Sequence, residues 1–161
     1  MIPNDRAFDG KSWFEHEGKT FRRWYTIDKK GIFKLKINVI STKSAHKQGI
    51  ALFFSNFMGK LYLNGKNLPV LKGKFKHYVF DEDAIPGDGL TLSVHAEVGH
   101  LVLGNGSRTP GNGGFECGAF GCAFWIETLA ENKFRFHCND HEMDDDFDDL
   151  IFDLEIEDNE E

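Results

Sequence analysis

A side-chain period of two runs through the chain and leaves few folds open to it. Phe33, Leu35, Ile37 and Val39 alternate with Lys34, Lys36 and Asn38; Leu90, Leu92, Val94 and Ala96 alternate with Thr91, Ser93, His95 and Glu97. Leu150, Phe152, Leu154 and Ile156 repeat the pattern around Asp153, Glu155 and Glu157. Successive side chains of a strand point to opposite faces, so each run predicts a strand with one apolar and one wet face. Turn signals separate the runs: Asp28 to Gly31, Asn64-Gly65 after Leu61-Tyr62-Leu63, Pro86 to Gly89, and Gly104 to Gly121, where seven of 18 positions are glycine. One short helix is a candidate near Asp5 to Phe14. Short alternating strands joined by Gly-rich turns predict an all-β chain, a β-sandwich of jelly-roll type.

At 161 residues the chain is long enough to enclose a core, which its 16 Phe would make bulky and aromatic. No repeat or linker interrupts it, which predicts one domain over residues 1–157 and an acidic end at 158–161. Lys34 and Lys36 at polar strand positions, and Lys43 and Lys47 in turns, read as a solvated face. Trp13, Trp24 and Tyr25 fall in strand-like contexts and read as core or sheet packing. Met1 to Lys30 carries no apolar leader core, and no run approaches a membrane span. The expectation is a soluble protein, cytoplasmic or exported without a recognisable signal peptide, with no membrane partner. Three cysteines do not pair fully; Cys117 and Cys122 could bridge in an oxidising compartment, and buried thiols are the competing reading.

The net charge of −7 is unevenly spread: residues 140–161 hold 13 acids and no Lys or Arg, whereas residues 1–139 hold 19 basic and 13 acidic side chains. A basic body with aromatics raises the question of nucleic acid, but the acidic segment would compete for its lysines and repel phosphate. No nucleic-acid partner is expected.

The acids concentrate between two predicted strands, in N-D-H-E-M-D-D-D-F-D-D-L-I-F from Asn139 to Phe152. Carboxylates held this closely repel by a few kcal/mol, on the order of Coulomb's law at a solvated surface, unless a cation neutralises them. Calcium takes six to eight oxygen ligands in irregular geometry, which suits an Asp-rich connection better than it suits magnesium. A zinc site from His137, Cys138 and His141 is disfavoured because adjacent strand residues face opposite sides. An EF-hand is disfavoured because Asp145 stands where that loop needs Gly, Ile151 stands where it needs Glu, and the flanks are strands. A merely solvated acidic turn is the competing reading.

Residues 86–157 resemble the PA-I-type galactophilic bacterial lectins, calcium-dependent jelly rolls of the galactose-binding-domain-like class. The likeness is carried by P-G-D-G-L-T-L-S-V-H-A, G-N-G-S-R-T-P-G, C-G-A-F-G-C, A-F-W-I-E, F-R-F-H-C and the Asn139-Asp140 step into the acidic connection. The resemblance implies calcium held by Asp140, Asp144, Asp148, Asp149 and the backbone carbonyl of Asn105, with Glu142, Asp145 and Asp146 in reserve. The family's paired Asn are Asp here, and Asn105 to Glu116 is shorter than the family's sugar-contacting loop and lacks its His and Gln. D-D-D-F-D-D-L-I-F is also similar to the closing motif of bacterial calcium-binding sandwich domains.

Two functions follow. The first is a non-enzymatic carbohydrate-binding protein in which calcium and His141, Glu142 and Arg108 contact a sugar, with Trp125 read as core. The second is a structural or interaction domain in which calcium only stabilises the connection. Self-association is left open. No enzyme is expected: G-x-S-x-G, a P-loop and H-E-x-x-H are absent, and the carboxylates are bunched in one stretch rather than set across a cleft.

Overall fold

A computed structural model describes residues 13–72, 77–108, 115–117, 122–139 and 147–158. The strands are β1 (Trp13–His16), β2 (Lys19–Arg22), β3 (Tyr25–Ile27), β4 (Gly31–Thr42), β5 (Gln48–Leu63), β6 (Lys66–Asn67) and β7 (His77–Asp81). They continue as β8 (Leu90–Arg108), β9 (Phe115–Cys117), β10 (Ala123–Ala130), β11 (Lys133–Asn139) and β12 (Leu150–Asp158), with one 3-10 turn at Glu82–Ala84. The chain is all-β. Its strands form one antiparallel sheet in the order β1-β2-β10-β11-β12-β4-β8-β5-β6, with β3 and β9 added on β8 and β7 on β5. Among the described residues no helix is long and apolar enough to cross a membrane.

The alternation read from the sequence sets the inward face. Phe33, Leu35 and Ile37 on β4 and Leu90, Leu92, Val94 and Ala96 on β8 are buried, while Lys34, Lys36 and Asn38 are exposed. The Asn64-Gly65 signal makes the β5–β6 hairpin: both residues have positive φ, 52° and 79°, as a two-residue turn matched to the strand twist requires. The sheet folds over on itself, since the Tyr25 ring on β3 lies 5.4 Å from that of Phe136 on β11.

Three expectations change. Trp13 and Phe14 belong to a strand and not to a helix; residues 5–12 lie outside the described residues. Pairing of Phe14 with Phe21, their rings stacked at 5.3 Å, overrides local propensity. The first residues of the Gly-rich run, Gly104 to Arg108, continue β8 instead of forming a loop, because β5 supplies a ladder partner through Ser107. Asp153, expected on a wet face, is only 6% exposed. Its partner across the sheet is Arg135, which donates from Nε and Nη2 to its two oxygens at 2.8 and 3.1 Å.

Candidate functional site

The inward face of β8 changes chemistry along its length. Leu101 and Leu103 are followed at the same period by Asn105 and Ser107, all buried. On the paired strand β5, Leu52 and Ile50 give way to Gln48 on the same face, with Ile50 opposite Asn105 and Gln48 opposite Ser107. One end of the core is therefore capped by amides. The acidic connection between β11 and β12 is tied to that cap.

Asn139, the last residue of β11, makes the tie. Its backbone carbonyl accepts a hydrogen bond from Asn105 Nδ2 at 2.5 Å, and its side-chain Oδ1 accepts one from the Phe147 amide at 3.1 Å. The second bond bridges the two ends of the acidic stretch. Phe147 adopts φ 51°, a left-handed conformation unusual for a bulky residue, and buries its ring beside Phe21, 4.7 Å between centroids, with Ala123 in the same cluster. The next two residues diverge. Asp148 reaches Lys43 Nζ at 3.5 Å, while Asp149 is 4% exposed and its carbonyl accepts the Lys43 amide at 3.1 Å.

Below the connection the Cys122 and Cys138 side chains are buried; the side chain of Cys117, the bridging partner the sequence suggested, lies outside what the structure describes. Burial pushes the Cys138 thiol well up, and neighbouring Cys122 and the Asp149 carboxylate push it further. Asp149 thus projects toward the protein interior. The opposite-face argument against zinc agrees with the geometry: Cys138 points inward, whereas His137 faces Glu127 across the β10–β11 pair at 3.0 Å.

Asn105 carries the sharpest observation. It is 1% exposed, its amide nitrogen is committed to Asn139, and its Oδ1 has no hydrogen-bond partner among the described residues. Gln48 Oε1, diagonally across the strand pair, is also without one. A buried amide oxygen left without a donor costs about 1–3 kcal/mol, and side-chain amide oxygens are ordinary calcium ligands.

Of the other sequence-derived candidates, Asp140, His141, Glu142, Asp144, Asp145 and Asp146 lie outside the described residues. Arg108 is described; its Nη2 is 3.3 Å from Asp81 Oδ2. Among the described residues no group of three or more His, Cys, Asp or Glu converges as a metal site. Asn139 and Phe147 were not singled out from the sequence as structural ties, although a lone Phe inside an acid run is a visible sign of an anchored connection.

These features define an all-β protein whose amide-capped core end carries an anchored acidic connection. No family model, curated protein or solved structure matches the chain, so the lectin likeness rests on its motifs alone.

Proposed function

We propose that the chain is a calcium-binding, non-enzymatic carbohydrate-binding β-sandwich of jelly-roll type. The cation would sit between the 140–149 connection and the polar end of β8. The observation that carries this is the orphaned Asn105 Oδ1, buried beside the residue that opens the acidic stretch. The available donors, amide and carboxylate oxygens from Asn105, Asp148, Asp149 and the acids of 140–146, are the hard set that calcium prefers. Bound calcium would cancel the repulsion among the carboxylates and satisfy the buried amide.

The test is calorimetric titration of chelator-treated protein with calcium, magnesium as control, together with melting curves. One-site binding with a melting temperature that climbs with free calcium is the expected result. No heat and no shift at millimolar calcium would overturn the proposal. A glycan array at saturating calcium tests the carbohydrate half.

The deep burial of Asn105 and Asp149 favours a second reading, in which calcium is enclosed by protein and does not itself touch sugar. A calcium-dependent rise in melting temperature with an empty glycan array would select the purely structural role.

A further inference from the structure

A groove of about 880 Å³ runs along the free side of β10, lined by Lys19, Arg22, Trp24, Tyr25, Trp125 and Thr128 among others. It arises from the topology. β2 pairs with β10 only at Phe124 and Trp125, so the strand beyond Trp125 has β11 as its sole partner among the described strands. The chain then leaves β2, crosses at Arg23-Trp24 and joins β8 as β3, which opens a cleft between the two layers. The volume falls within the range of small-molecule sites, roughly 300–1,000 Å³, and admits a short oligosaccharide.

Three aromatic rings in it are braced from behind. Trp24 stands edge-on to Phe53 at 4.6 Å and lies against Gly104, where an added Cβ would come 2.5 Å from the indole. Tyr25 leans on Phe134 and Phe136 at 5.9 and 5.4 Å. Trp125 stacks on His137 at 4.0 Å, with the Lys19 ammonium 4.2 Å from its ring centroid. All three are half-buried, each keeping part of its surface open. Rigid aromatic surface costs little entropy to use and suits the apolar face of a pyranose.

The charge of the groove opposes that of the chain. Lys19 and Arg22 are exposed on β2, Arg22 close enough to Tyr25 to act on its hydroxyl, and no carboxylate is among the described residues that line the groove. In a protein of net charge −7 this is a local cationic site. Thr20, Thr26 and Thr128 add hydroxyls for hydrogen bonding.

We infer that this groove binds an acidic oligosaccharide, a sugar ring stacked on Trp24 and a carboxylate or sulfate held by Arg22 and by the Lys19 ammonium that covers the outer face of Trp125. A nucleic-acid strand is disfavoured because two cations match one or two anionic groups, not a continuous phosphate ladder, and the acidic C-terminal segment repels polyphosphate. The inference deepens the carbohydrate half of the proposed function and does not depend on calcium touching sugar.

The experiment titrates calcium-loaded protein with tetragalacturonate, neutral galactotetraose and a thymidine tetranucleotide, read by calorimetry and tryptophan fluorescence. Tetragalacturonate is expected to bind at least about tenfold more tightly than the neutral sugar, by the charge-assisted contacts. R22Q, at an exposed position, should weaken it about tenfold, and W24F should do so through lost stacking. Both should leave calcium binding unchanged, which also reports an intact fold. Tight binding of the tetranucleotide, or of galactotetraose equally, overturns the ligand class. Tetragalacturonate binding untouched by both substitutions overturns the groove and leaves the carbohydrate reading standing. No binding here together with an empty glycan array overturns both.

Discussion

The ring of Phe147 lies 4.7 Å from that of Phe21 and so joins the acidic connection to β2, the strand that carries Lys19 and Arg22. Anything that fixes the connection also fixes one wall of the groove. Phe147 is held at φ 51° by the Asn139 side chain, so ring burial and the Asn139 bond offset the backbone strain together.

Phe147→Ala should therefore destabilise the fold by about 3 kcal/mol, the usual cost of emptying an aromatic site. It should also weaken calcium binding, although the ring is no ligand. Urea denaturation with and without calcium measures both.

Asn105→Ala removes the donor to the Asn139 carbonyl and the orphan Oδ1 at once. Without calcium the loss should be modest, about 1 kcal/mol, because an unmet cost disappears with the lost bond. With calcium the gap to the natural protein should widen by the lost binding energy. Melting curves at two calcium concentrations distinguish a ligand from a purely structural amide.

Arg135→Met strands the buried Asp153 carboxylate and should lower stability, because the carboxylate loses both of its charge-assisted hydrogen bonds. Arg135→Met with Asp153→Leu should recover most of that loss. Chemical denaturation of both variants closes the comparison.

Cys138 gives an alkaline limit. Its folded thiol is held well above the unfolded range by burial and by the Asp149 charge, so above about pH 8.5 the unfolded chain loses a proton that the folded chain keeps. Its contribution is complete below that pH and is lost as pH rises toward the folded value, at up to about 1.4 kcal/mol per unit. Cys138→Ala should flatten the slope of stability between pH 8.5 and 10, measured by urea titration.

Gly104→Ala should displace the Trp24 ring, since the new methyl falls 2.5 Å from Cζ3. The indole emission should shift and tetragalacturonate affinity should fall, with calcium affinity unchanged.

Much of the sheet was legible because burial enforces a period of two: β4, the first half of β8 and the Asn64-Gly65 turn follow from residue identity. The first strand and Gly104 to Arg108 were not legible. Their state is decided by pairing rather than by local pattern, with Phe21 across a tight hairpin for Phe14 and the sequence-distant Gln48 for Ser107. The acidic connection announced itself by charge, but its anchoring did not, because Asn105, Asn139 and Phe147 are brought together only by the meeting of β8 with β11. The groove was hidden for the same reason: Trp24 and Trp125 read singly as core, and only the crossing from β2 to β3 sets them around one cleft.

β4 lies between β8 and β12 in the sheet, and both of its neighbours come later in the chain. A growing polypeptide emerging from the ribosome therefore presents Gly31–Thr42 with both hydrogen-bonding edges open until β8 is made, and with one edge open until β12 follows. At about 5–20 residues per second this exposure lasts for seconds. Lys34 and Lys36, which look like mere surface charge in the finished protein, stand on that strand as guards against wrong pairing during its own birth.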